Sequence, residues 1–124
     1  MLTITKPSPN RVDIELSGKI ESDEMARGLD DLLEKSKDVN AGVMMYRITS
    51  FAFPDLGAIA VEMTRLPKLI GLLGRFDRCA VLSEAAWIRS AAEIEGALFP
   101  GIEIKAFDLT DGDEAEAWLQ GGTA

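Results

Sequence analysis

Residues 11–46 read RVDIELSGKIESDEMARGLDDLLEKSKDVNAGVMMY, and the fold follows from this stretch. Arg11 to Ser17 alternates, with Val12, Ile14 and Leu16 on one side and Asp13, Glu15 and Ser17 on the other. A period of two marks a strand with one buried and one wet face, and Gly18 closes it. Ser22 and Asp23 are N-cap residue types, and Asp23-Glu24 puts negative charge on a first helical turn, where the helix dipole favours it. Met25, Leu29, Leu32 and Leu33 then recur at helical spacing. Arg27, Asp30, Asp31, Glu34 and Lys35 make the other face, so this helix packs on one side only. Asn40 to Gly42 ends it. Val43-Met44-Met45-Tyr46 is a continuous apolar run, the pattern of a strand covered on both faces. Strand, helix and strand in that order form a right-handed crossover with its strands parallel.

Outward from this unit, Leu2 to Lys6 is a short strand, and Pro7-Ser8-Pro9-Asn10 is a turn that folds it back as a hairpin on Arg11 to Ser17. On the other side, Ile48 to Phe53 is an apolar connector. Pro54-Asp55 opens a second helix with Leu56, Ile59, Ala60, Met63 and Leu66 facing inward. Pro67 interrupts that helix, removing an internal hydrogen bond and imposing a kink or a break. The segment from Lys68 to Phe76 is apolar nearly all round. Cys79 to Leu82 is another covered strand. Glu84 and Ala85 start a third helix with Trp87, Ala91, Ile94 and Leu98 on one stripe, and Pro100-Gly101 stops it. Ile102 to Phe107 is a last strand. Thr110 to Glu114 carries capping signals for a short helix with Ala115, Trp118 and Leu119 inward, and the chain should fray from Gly121. The expectation is a single α/β domain over residues 1–124 in the order ββαβαβαβα. It has a mostly parallel five-stranded sheet, an antiparallel N-terminal edge strand and four flanking helices. The two alternating strands should be less covered than the two continuous ones.

Composition narrows the chemistry. At 124 residues and 47% hydrophobic side chains, the chain can bury a core without a metal or disulfide staple. Its one cysteine, Cys79, excludes a disulfide framework and a multi-cysteine metal site, and in a covered strand it reads as an inert core residue. The absence of histidine removes catalytic triads, Cys-His pairs and imidazole bases. A net charge of −8 speaks against nucleic acid. The acidic groups Asp30-Asp31-Glu34 and Asp111-Asp113-Glu114 suit exposed helix faces and caps better than metal ligation or general acid–base work. No signal peptide is read, and no apolar run reaches the roughly 18 residues that cross a bilayer. The protein is therefore expected to be cytoplasmic and non-enzymatic, without metal or cofactor.

The order of elements, with the residues that carry it, resembles the SpoIIAA-like family, which has a STAS-type fold. The matching pieces are the opening strand pair closing on Leu16-Ser17-Gly18-Lys19-Ile20, the strand Arg78-Cys79-Ala80-Val81-Leu82 followed by Trp87, and the ending Ile104-Lys105-Ala106-Phe107 through Glu114-Ala115-Glu116-Ala117-Trp118-Leu119. The resemblance implies a sheet wound as successive β-α turns. It also implies kinship of shape to the CRAL-TRIO domains that hold lipids, and with it a role in binding apolar ligands or membranes. Anti-sigma-factor antagonists of the STAS group carry a phosphorylated serine in a D-S-S-G-type stretch where the second helix begins. Here that region reads Ile48-Thr49-Ser50-Phe51-Ala52-Phe53-Pro54-Asp55-Leu56-Gly57. The acidic-serine-serine-glycine order is absent, and no residue is assigned the phosphoserine role.

The stretch from Met63 to Phe76 contains none of the 21 acidic residues, yet holds Arg65, Lys68 and Arg75. A basic, apolar segment with a proline break and glycine joints suits an interfacial anchor or a pocket lid. Arg65, Lys68, Leu69, Leu72, Arg75 and Phe76 are accordingly the expected membrane-facing set. Phe51, Phe53, Leu56, Leu66, Ile70, Leu73 and Trp87 are the expected lining of an apolar ligand site, with Phe51 and Phe53 at the carboxyl end of a central strand, where open α/β sheets favour ligands. The competing reading has the leucines covering the sheet with the cations as its rim, and the phenylalanines stapling the connector to the next helix. The expected function is a non-enzymatic module for an apolar small molecule or lipid, associating reversibly with an anionic membrane at the inner face. The alternative is a protein-interaction module using the same surface, for a partner or as a homodimer.

Overall fold

The alternation of Arg11 to Ser17 becomes the inner strand of a hairpin. β1 (Leu2–Ser8) and β2 (Arg11–Gly18) pair antiparallel, with Leu2 opposite Leu16 and Ile4 opposite Ile14. In this computed structural model, residues 1–51, 64, 67–68, 71–72, 74–85, 90 and 101–121 are described, Ser50 and Phe51 by backbone alone. The turn is shorter than the sequence suggests. β1 runs through Pro7 to Ser8, and the ladder shifts register between Thr5 and Ser8. A proline has no N–H to give a ladder, so it sits where the pairing is irregular.

Three further strands are parallel. β3 (Gly42–Phe51) lies beside β2, β4 (Phe76–Ser83) beside β3, and β5 (Glu103–Phe107) beside β4, giving the sheet order β1-β2-β3-β4-β5. The mixed sheet with one antiparallel edge is as expected. β3 extends beyond its apolar run: Ile48 to Phe51, read as connector, is strand paired to β2 as far as Gly18. β4 begins at Phe76 rather than Cys79. Coverage follows the pattern of the strands, since β4 is nearly all buried whereas β2 and β5 are only partly so.

The expectation of four helices is corrected to two that stand whole among the described residues. These are α1 (Ser22–Ser36) and α2 (Gly112–Leu119), the latter entered through a 3-10 turn at Leu109–Asp111. Helical backbone is also described at Thr64, Pro67, Lys68, Gly71 and Leu72, and at Ser90. The rest of the second and third expected helices falls on 52–63, 65–66, 86–89 and 91–100, outside the described residues.

The sheet separates two cores. On one face Ile4, Val12, Ile14, Met44, Phe76, Cys79 and Val81 meet Leu32 of α1, Val39 and Leu72. On the other, Met45, Ala80, Leu82 and Phe107 meet Ala115, Trp118 and Leu119 of α2. Arg78 lies opposite Cys79 as strand alternation requires. Its guanidinium sits 5.0 Å from the Trp118 ring centroid and donates to the Trp118 carbonyl oxygen, so it ties α2 to the sheet.

Helix ends depart from the sequence reading. Ser22 and Asp23 do not cap α1; its N-cap is Glu21, which makes no side-chain cap bond. Glu24 instead accepts the Leu2 N–H at 2.8 Å, and Lys35 donates to the Ile4 carbonyl at 2.7 Å. Leu2 and Ile4 are two apart in an extended strand, so their polar groups point the same way. α1 thus lays one carboxylate and one ammonium along the edge of β1 that β2 does not use. Near α2 the cap is also displaced: Asp108 accepts the Thr110 N–H at 3.1 Å, ahead of the expected capping residues.

Candidate functional site

At the N-terminal ends of β3 and β4 the second half of α1 approaches the helical residues Lys68, Gly71 and Leu72. Between them lies an open groove of about 540 Å³. α1 contributes Asp30, Leu33, Glu34 and Ser36, with Lys37 just beyond it; the opposite wall is Lys68, Gly71, Leu72 and Arg75. The far wall is set by two backbone bonds. The Arg75 N–H donates to the Leu72 carbonyl at 3.0 Å, and the Arg75 carbonyl accepts from Gly42 N–H at 3.1 Å, fixing the turn that enters β4 against the start of β3.

The charges in this groove are unequally satisfied. Glu34 is engaged by Lys37 at 2.6 Å, and that hydrogen bond holds the Lys37 ammonium above its ordinary pKa. Asp30 makes an interaction of its own. Lys68 and Arg75 are both exposed, and neither makes an ion pair among the described residues. The excess charge of the groove is therefore positive. Leu72 is buried and Leu33 half-buried, so apolar surface lies beneath the cations. Ser36 is 1% exposed, lines the groove, and its Oγ finds no hydrogen-bond partner.

A second, smaller depression of about 150 Å³ lies on the other sheet face, beside Arg11, Asp13, Arg47 and Glu116. Here the charges are closed on one another. Arg11 Nη1 donates to Glu116 Oε2 at 2.6 Å, Nη2 to Oε1, and Nε to Asp13 Oδ1 at 2.8 Å. The bond to Glu116, followed by that to Asp13, raises the Arg11 pKa, and Arg11 in turn holds the Glu116 carboxyl below its usual range. This is a clasp between β2 and α2. Cys79 is fully buried, and desolvation pushes its thiol up to about 12, where it is neither a nucleophile nor a ligand. Among the described residues no group of acidic or cysteine side chains is placed to hold a metal.

The expected site residues are dispersed by the fold. Of the membrane-facing set, Lys68 and Arg75 come together at the groove. Leu72 and Phe76 are corrected: at 6% and 0% exposure they are core residues, Phe76 as the first residue of β4, and cannot enter a bilayer. Arg65 and Leu69 lie outside the described residues, as do Phe53, Leu56, Leu66, Ile70, Leu73 and Trp87 of the ligand set. Phe51 ends β3, its backbone opposite Gly18, at the other end of the sheet from the groove. Sequence reasoning missed the α1 wall. One signal was available: Ser36 continues the stripe of Met25, Leu29 and Leu32, a polar residue on a core-facing row.

The SpoIIAA-like family model matches residues 11–120, from the start of β2 to the end of α2. The chain belongs to the SpoIIAA-like family. A crystal structure of an uncharacterized protein of the DUF3478 family from Shewanella loihica PV-4, with a SpoIIAA-like fold, superimposes with a TM-score of 0.72. The two share 19% sequence identity, over 96% of this chain and 92% of that one, a likeness of fold. No match was found among curated proteins. As a SpoIIAA-like protein the chain is a STAS-type module, and among its described residues no helix is long and apolar enough to cross a membrane.

Proposed function

We propose that this SpoIIAA-like protein is a non-enzymatic binding module for an amphipathic anion, a lipid or a lipid-like carboxylate or phosphate, received in the groove between α1 and the wall of Lys68, Gly71, Leu72 and Arg75. The observation that carries the reading is the pair Lys68 and Arg75, exposed and without ion pairs among the described residues, above Leu33 and Leu72. Two uncompensated cations over apolar surface suit a ligand with a negative head and an apolar body. The same pair lets the module meet an anionic membrane from the outside. Each such cation contributes about 1 kcal/mol near an anionic surface, so association is weak and reversible.

Flotation with phosphatidylglycerol vesicles and with phosphatidylcholine vesicles tests it. Wild type floats with the first and not the second, and the double substitution Lys68→Glu, Arg75→Glu stays at the bottom of the gradient. Wild type that floats with neither, or a double variant that floats like wild type, overturns the reading. A salt-insensitive dimer lost on the same double substitution would favour a protein interface instead.

A further inference from the structure

We infer that the groove accepts a head carrying a single negative charge, a phosphodiester or a fatty carboxylate, and that Glu34 turns away the doubly charged phosphate monoester. This rests on the reading of the groove given above and narrows its ligand. Among the described residues of the walls stand three cations, Lys37, Lys68 and Arg75, and two carboxylates, Asp30 and Glu34. The groove by itself is thus one charge positive. α1 ends at Ser36 in the same wall, and the C-terminal end of a helix adds roughly half a negative charge. A single negative charge therefore brings the groove close to balance. A double one leaves it negative, in a molecule that already carries −8.

Glu34 sets this balance in two ways. It holds Lys37 at 2.6 Å, which commits the third cation to the protein, and it adds its own charge to the wall. Both side chains are more than half exposed, Lys37 at 58% and Glu34 at 69%, so a ligand in the groove reaches them. Asp38, exposed beside Lys37, attracts the same ammonium. Lys35 does not join the groove; it is turned to Asp31 and to the Ile4 carbonyl of β1. The attraction is left to Lys68 and Arg75 on the opposite wall. A dianion that drew Lys37 away would leave Glu34 unneutralised beside it, and the charge of the groove would be the same. Leu33 and Leu72 offer apolar surface to an alkyl chain whichever head it carries, so the head alone discriminates.

Isothermal titration with two soluble lipids of equal tails tests the assignment. Dihexanoyl phosphatidylglycerol is a diester with one charge; dihexanoyl phosphatidate is a monoester that passes from one charge toward two between about pH 5 and about pH 8. Wild type should bind the diester equally at both ends of that range. It should bind the monoester like the diester at the acid end and roughly fivefold more weakly at the alkaline end. The diester also reports any titration of the protein itself, whose sequence holds no histidine. Glu34→Gln should bind the monoester at the alkaline end at least as tightly as the diester, since one negative charge is gone and Lys37 is released. Decanoate, titrated alongside, separates the two sources: tighter binding than the diester assigns the single charge to a fatty carboxylate, weaker binding to a phosphodiester. Monoester binding that stays level or tightens with rising pH, while the diester binds, overturns the single-charge rule and leaves the groove standing. A loss that persists in Glu34→Gln overturns the role of Glu34. Wild type that binds none of the three, or Lys68→Glu, Arg75→Glu that binds like wild type, overturns the groove itself.

Discussion

Gly42 shows how a single position can hold two segments together. A Cβ there would lie 2.3 Å from Val39 Cγ1 and 2.6 Å from the Asn10 backbone oxygen, and that oxygen also accepts the Val43 N–H at 2.9 Å. Backbone cannot step aside as a side chain can. Gly42→Ala should therefore cost about 1–3 kcal/mol, the usual penalty of overpacking, read as a lowered midpoint in urea. Gly28 makes a control. Its Cβ would meet the Leu2 side chain at 2.3 Å, the far end of a flexible group at the start of the chain. An alanine there also gains about 1 kcal/mol of helix propensity, so Gly28→Ala should be close to neutral. Cys79 extends the residue scale to pH. Its folded pKa of about 12 lies above the ordinary thiol value of 9.0, so the unfolded chain loses its thiol proton first as pH rises. The stability it contributes is complete below pH 9.0 and is lost toward pH 12, at about 1.4 kcal/mol per pH unit. Cys79→Ala should flatten that alkaline slope in denaturation curves, and iodoacetamide should label the native thiol no faster than the protein opens.

At the scale of elements, α2 is held to the sheet by two unlike devices. Trp118 packs against Phe107 with ring centroids 6.0 Å apart and lies under Arg78, whereas Glu116 reaches across to Arg11 on β2. Burial should dominate. Trp118→Ala should cost about 3–5 kcal/mol. Glu116 is 44% exposed at its side chain, so solvent screening limits Glu116→Gln to about 1 kcal/mol or less. The sign of the Glu116 contribution is definite: with its pKa lowered by Arg11, it is present above the ordinary carboxyl value of 4.5 and lost as pH falls through the folded value. The thermal midpoints of wild type and Glu116→Gln should therefore differ at pH 7 and draw together as the pH falls below 4.5. What the sequence made legible at this scale was whatever depends on local period. The alternation of β2, the apolar runs in β3 and β4 and the stripe of α1 all became the elements they suggested. Strand ends were less legible, because they are set by the neighbour: β3 continues to Phe51 as long as β2 offers partners, and Phe76, read with the segment before it, is drawn into β4 opposite Gly42. The groove was half legible. Lys68 and Arg75 stood out as cations in an acid-free stretch, but Leu33 and Ser36 join them only through the packing of α1, which no local pattern encodes.

The whole molecule sets a condition on the groove that its residues alone do not reveal. The chain carries −8, and several of the described cations away from the groove are engaged: Arg11 by Asp13 and Glu116, Lys35 by Asp31, Arg78 at Trp118, and Lys105 at 5.4 Å from the Phe107 ring. An anionic vesicle therefore meets two opposed fields, repulsion from the body and attraction to Lys68 and Arg75. Which one prevails depends on the distance over which charge is felt. A domain of this length has a radius of gyration near ~14 Å. At 0.01 M salt the Debye length is about 30 Å, so the whole negative charge counts. At 0.1 M it is about 10 Å, shorter than the molecule, and the surface senses the nearest patch. At 1 M it is about 3 Å, and the patch itself is screened. Binding to phosphatidylglycerol vesicles should accordingly rise from 0.01 M salt to a maximum near about 0.1 M and fall again by 1 M, whereas simple polybasic attachment declines from the lowest salt onward. The double variant Lys68→Glu, Arg75→Glu should show no maximum. A steady decline in wild type from 0.01 M would mean that the contact surface is basic over a much wider area than these two side chains, and would place the docking face away from the groove.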